Sequence, residues 1–192
     1  MRIIFWNYQE LANPDTEGSI RLLTGSYKPK IISISEPKIN SLNLGNLFSS
    51  RGYSILGTNR AVSNPDRIWI LVHNSFENPV IVYEDNQIIT FSFLESDWKM
   101  FCSIVYAYNN YIDRRCLWDQ INQLSSTLMD PWIIVWVFNS ILHADEKIGT
   151  MINSTSNKEF RDCIEVERLV KVNLIGAKFT WYRRHINGMR AR

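Results

Sequence analysis

Pro131-Trp132-Ile133-Ile134-Val135-Trp136-Val137-Phe138-Asn139 is the stretch on which the reading of this chain turns. Trp132 to Phe138 is its longest wholly apolar run, and it reads as a buried strand that delivers one polar side chain, Asn139, at its end. Seven residues are far too few to cross a bilayer.

Working outward, similar short apolar runs recur at 3–6, 31–34, 53–56, 68–72, 80–83, 88–93 and 101–106, with Asn, Asp, Gly or Pro in most of the gaps. Each predicts a strand, and Lys178 to Tyr182 predicts a last one. Asp15 or Thr16 is positioned to cap a helix running to about Gly25, with Ile20, Leu22 and Leu23 as its apolar contacts and Lys28-Pro29-Lys30 ending it. Leu117, Ile121, Leu124 and Leu128 form one helical stripe, entered near Asp113. Ser156-x-x-Glu159 has the form of a capping box before a helix that buries Phe160, Cys163 and Ile164. Strand-rich runs with a few helices between them predict an α/β chain of two packed sheets with outer helices. No repeat or linker interrupts residues 1–192, which are read as one domain.

Composition is that of an ordinary globular chain, with 45% hydrophobic and 21% charged residues among 192. A net charge of +2 does not by itself indicate a nucleic-acid partner, so any basic patch has to be local. Cys102, Cys116 and Cys163 are widely spaced, odd in number and set among apolar neighbours. They predict buried, reduced thiols in a nuclear or cytoplasmic protein rather than a zinc site. The apolar stretch after Arg2 is too short for a signal peptide, and no membrane association is expected.

Three polar residues stand at the ends of predicted strands: Asn7, Glu36 and Asn139. A carboxylate at a strand end can bind a hard cation through oxygen, and an asparagine offers both a donor and an acceptor. Singly, each reads as an ordinary loop or turn residue. Together they mark the end of the sheets as the place to look for chemistry.

A set of ordered segments extends this reading. Trp6-Asn7-Tyr8-Gln9-Glu10-Leu11-Ala12-Asn13, Lys28-Pro29-Lys30-Ile31 through Ser35-Glu36-Pro37-Lys38, Val105-Tyr106-Ala107, Arg114-Arg115-x-Leu117-Trp118 and Pro131-Trp132 through Leu142 occur in that order. Glu146-Lys147-Ile148-Gly149, Phe160-Arg161-Asp162-Cys163 and Lys178-Phe179-Thr180-Trp181 follow. Across essentially all 192 residues the chain resembles the endonuclease domain of plant non-LTR (LINE-type) retrotransposons, within the endonuclease/exonuclease/phosphatase family that shares the DNase I fold.

The resemblance implies a four-layer α/β sandwich and Mg2+-dependent phosphodiester hydrolysis, with DNA as the partner and a former fusion to a reverse transcriptase. It implies that Glu36 binds the metal with help from Asn7, and that Tyr106 and Asn139 contact or orient the scissile phosphate. It also exposes departures. Where the family carries Gly-Asp before Phe-Asn, this chain has Trp136-Val137, and valine can neither accept a proton nor bind a cation. Gly188 to Arg192 matches the start of a later family segment, and the following Asp and His segment has no counterpart, so a C-terminally truncated domain is expected. The expectation is an inactive relative of a DNA-nicking enzyme. The alternatives are an active Mg2+ endonuclease, in which Asp145 or Asp113 stands in for the lost carboxylate, and a non-catalytic nucleic-acid-binding module. In that module Arg183, Arg184 and Arg190 would hold phosphates beside Trp181 and Tyr182. A solvated, frayed end is the plain reading of the same arginines.

Overall fold

Period-two alternation in the strands builds the core. The computed structural model describes residues 1–7, 15–36, 46–59, 67–147, 153–172, 182–185 and 188–191, with 15–17, 182–185 and 188–191 described for the backbone alone. The chain forms two units, Met1–Ala107 with Leu128–Val137, and Tyr108–Thr127 with Phe138–Arg192.

The first unit holds two four-stranded sheets. In one, β1 (Ile3–Asn7) pairs in parallel with β2 (Ile31–Ser35), while β3 (Tyr53–Thr58) and β4 (Ile68–His73) complete the order β1-β2-β4-β3 by antiparallel pairing. In the other, β5 (Val80–Glu84), β6 (Ile88–Glu95) and β7 (Trp98–Tyr106) are antiparallel, and β8 (Trp132–Val137) runs parallel to β7. Every residue of β2 is buried, because both of its faces are covered. Ile31, Ile68, Ile70 and Val72 point toward Ile89, Phe91, Phe93, Cys102 and Ile104 of the second sheet. Ile32, Ile34, Trp69 and Leu71 point the other way, where Ile20 of helix α1 (Asp15–Tyr27) and Phe48 cover them. Each large apolar side chain buried in this way contributes about 1.5–3 kcal/mol. On the second sheet, Ser103 Oγ lies 2.7 Å from Thr90 Oγ1 and accepts from Trp132 Nε1 at 2.8 Å, which satisfies a buried hydroxyl pair.

The second unit contains α2 (Arg115–Thr127), α3 (Ser154–Val166) and the hairpin of β9 (Tyr182–His185) with β10 (Gly188–Ala191). Leu117, Ile121 and Leu124 are buried on α2 as their spacing predicts. Trp118, Phe138 and Phe160 form an aromatic cluster with ring centroids 4.6 to 5.7 Å apart.

Several boundaries differ from expectation for identifiable reasons. α1 continues past Gly25 to Tyr27 and stops at Lys28, whose positive φ of 44° closes the helix before Pro29 is reached. α2 starts at Arg115 and leaves Leu128 outside it. The capping box at Ser156 is not used: Asn153 caps α3, its side chain accepting from the Ser156 N–H at 3.0 Å, and Ser156 lies inside the first turn. β8 ends at Val137, so Phe138 belongs to the following loop. Cys102 and Cys163 are buried, but Cys116 is exposed on α2. Residues 178–181 of the expected last strand lie outside the described residues.

Candidate active site

The alternation that fills the core also carries polar residues to its rim. Ile3 and Phe5 pack against the inter-sheet core, so Asn7 follows them on the same face of β1. Its register partner is Ser35, whose hydroxyl donates to Asn7 Oδ1 at 3.1 Å. Glu36 comes next, half-buried, with its backbone N–H donating to the Arg67 carbonyl at 3.0 Å. Its φ of 49° lies in the left-handed region, uncommon for a residue with a side chain, and turns the chain sharply out of the strand.

On the facing sheet Tyr106 ends β7 and is 5% exposed, in line with Cys102 and Ile104. Its register partner on β8 is Val137, half-buried against the same core. The Val137 carbonyl accepts from the Ala107 N–H at 2.9 Å, which ties the two strand ends together. Arg67 bridges the sheets, its guanidinium carbon 5.9 Å from the centre of the Tyr106 ring. The carboxyl ends of β1, β2, β7 and β8 therefore share one rim of the sandwich.

Two residues of this rim were not singled out from the sequence. Asn59 is fully buried; its Oδ1 accepts from the backbone N–H groups of Arg67 (2.9 Å) and Ile68 (3.0 Å), and its Nδ2 donates to the Asn86 carbonyl at 2.8 Å. It thereby fixes where Arg67 enters β4. The only signal for Arg67 is a cation directly before a buried strand, and a lone asparagine carries less still.

In the second unit, Asn139 follows the strand by two residues, exposed and at a φ of 50°. Its carbonyl accepts from the Arg114 guanidinium, which also donates to the Phe138 carbonyl at 3.3 Å and to Ser156 Oγ at 2.6 Å. Arg114 is 3% exposed; burial lowers its pKa, opposed by the charge of Glu159, and the group stays ionised. It entered the sequence reading only as part of a motif, yet it holds the loop that presents Asn139. Asp113 and Asp145 also lie in this unit, in the turn before α2 and in the helical turn Ala144–Glu146. On the hairpin, Arg190 is the register partner of Arg183, and Met189 that of Arg184; their side chains lie outside the described residues.

Among the described residues no three His, Cys, Asp or Glu side chains are grouped to hold a metal ion. Glu36 and Asn7 stand one register step apart on adjacent strands and offer oxygen donors. Mg2+ takes one or two carboxylates and keeps several waters, and both side chains carry oxygen ligands of the kind it accepts.

Two packed, mixed four-stranded sheets with helices define the DNase I-like α/β sandwich, the fold of endonuclease/exonuclease/phosphatase proteins. The chain is similar to the endonuclease domain of TRAS1, a telomere-specific non-LTR retrotransposon, with a TM-score of 0.71 and 12% identity over 100% of this chain and 81% of that one. It is similar to the AP endonuclease LMAP from Leishmania major, with a TM-score of 0.63 and 12% identity over 97% of this chain and 74% of that one. A D. rerio TDP2 structure complexed with single strand DNA product matches with a TM-score of 0.51 and 13% identity, over 70% of this chain and 58% of that one. No protein-family model and no curated protein matches the chain.

Proposed function

We propose that this chain is a phosphodiesterase-type domain of non-LTR retrotransposon origin that has kept its phosphate-facing rim and lost hydrolytic turnover. One observation carries the reading: Tyr106 ends β7 and its register partner is Val137, the position at which the family resembled in sequence carries its catalytic aspartate. A branched alkyl group there can neither accept a proton nor orient a water molecule. General-base assistance is typically worth about 10²–10⁴-fold, so its loss is enough to silence the reaction. Glu36 with Asn7 would hold Mg2+, which when bound neutralises charge on phosphoryl oxygens. Within the first unit, Arg67 and Tyr106 are assigned to the phosphate itself, and residues 1–192 are treated as one functional domain. The fold similarity to the TRAS1 domain supports the retrotransposon origin. The plant affiliation rests on the ordered sequence motifs.

Binding without cleavage is a second reading, favoured by the placement of Arg183, Arg184 and Arg190 on one hairpin. Its signature is DNA affinity that falls steeply with salt while the DNA stays intact.

Nicking of supercoiled plasmid with Mg2+, by the chain and by its Glu36→Ala and Val137→Asp variants, tests the proposal. The parent is expected to be silent and Val137→Asp to gain activity. Parental nicking that Glu36→Ala abolishes would overturn the loss of turnover.

A further inference from the structure

The antiparallel pairing of β2 with β4 and of β4 with β3 brings a second set of residues to the opposite end of the first sheet. Lys30 precedes β2, His73 closes β4 and Tyr53 opens β3, and with the end of α1 they surround an open cavity of about 570 Å³. Its lining is Arg21, Thr24, Gly25, Lys28, Lys30, Arg51, Tyr53, His73 and Ser75: four permanent cations, and no acidic residue among the described lining. Four like charges around one cavity repel one another, and a mere solvated face would not need to gather them from a helix and two separate connections.

The floor is organised. Lys30 Nζ donates to Ser75 Oγ at 2.6 Å and to the Ser75 carbonyl at 3.3 Å. Ser75 Oγ lies 2.7 Å from His73 Nδ1, which also accepts from the Ser75 backbone N–H at 3.2 Å. His73 is held from behind by Tyr53, the two rings meeting edge-on at 5.1 Å, and Tyr53 is anchored by its hydroxyl donating to the Pro29 carbonyl at 2.7 Å. A lysine, a serine and a histidine are thus fixed in place beneath three further cations. That is the donor chemistry of a phosphate site, with ammonium and guanidinium groups supplying charge and a rigid floor lowering the ordering cost.

We propose that this cavity binds a phosphate-bearing ligand, at a site separate from the Glu36 rim. The proposal does not rest on the function assigned to that rim. Phosphate groups reach such a site either from a small phosphorylated molecule or from a nucleic-acid backbone. Inorganic pyrophosphate and an unphosphorylated twelve-residue oligothymidylate represent the two sources.

Both probes are titrated calorimetrically at low salt against the chain and its Lys28→Gln, Arg21→Gln and Glu36→Ala variants, each confirmed folded by circular dichroism. Lys28 and Arg21 are exposed, so the native fold is expected to survive these changes. Saturable binding of either probe, weakened about tenfold by each of the first two substitutions and unchanged by Glu36→Ala, supports the site. The probe that binds identifies the source of the phosphate. Absence of saturable binding by both probes, or binding that Lys28→Gln and Arg21→Gln leave unchanged, overturns it.

Discussion

Tyr106 and Val137 are register partners at the carboxyl ends of the parallel strands β7 and β8, both facing the core between the sheets. The pairing sets a polar ring against an alkyl group at the rim where Asn7 and Glu36 also emerge. Packing and chemistry pull in opposite directions at position 137. Valine closes the core, and a carboxylate would open a route to proton transfer.

Replacing Val137 with aspartate should therefore cost stability even if it restores nicking. Partial burial of an ionised group without a dedicated partner is expected to lower the unfolding free energy by about 1–3 kcal/mol. A urea titration at neutral pH reads this directly, and an unchanged midpoint would show that the side chain at 137 does not pack as described.

Asn59 should matter far more than its place in a loop suggests. Asn59→Ala strips the acceptor from two backbone N–H groups and the donor from the Asn86 carbonyl, all three at a fully buried side chain. Loss of about 2–4 kcal/mol is expected. Because Arg67 is placed by the same amide, its backbone resonance should also shift in a nitrogen-15 correlation spectrum.

Arg114 offers a sharper contrast. Arg114→Met leaves the carbonyls of Phe138 and Asn139 and the Ser156 hydroxyl without their shared donor, at an expected cost of about 2–4 kcal/mol. Lysine carries the charge but not the planar fork, so Arg114→Lys should recover only part of it. Equal stability for the lysine variant and the parent would show that charge alone holds this loop.

The thiols make a prediction with a pH sign. Burial pushes the Cys102 thiol up to about 12, and burial together with Glu167 and Asp119 pushes Cys163 up to about 12. With Cys116 exposed, a thiol reagent at pH 8 should modify one cysteine quickly in the native protein and all three in denaturant. A pKa raised by folding means that the stabilisation is complete below the ordinary thiol pKa of 9.0 and is lost as pH climbs toward 12. Urea midpoints between pH 8 and 11 should fall, and Cys102→Ala should flatten that decline.

Much of this architecture is local in origin, and so it could be read along the chain. Continuous apolar runs at 31–34 and 68–72 announce strands covered on both faces, and the Leu117, Ile121, Leu124 spacing announces the buried stripe of a helix. Asn7 directly follows such a run, and Glu36 stands one residue beyond the run at 31–34. Helix ends were harder to read. Asn153 and Ser156 are both competent caps; Asn153 takes the role, and the Ser156 hydroxyl accepts instead from Arg114, distant in sequence.

The amino-acid order determines that strands form, which faces they bury, and which polar residues stand at their ends, since these follow from side-chain periodicity over a few neighbours. Pairing of strands far apart in the chain determines the rest. Register alone sets Val137 beside Tyr106, and sheet-on-sheet packing brings Arg67 over the Tyr106 ring. Antiparallel order gathers Lys30, Tyr53 and His73 at the far end, where four cations meet around one cavity. Such meetings depend on long-range backbone hydrogen bonding and burial, and no window of neighbouring residues encodes them.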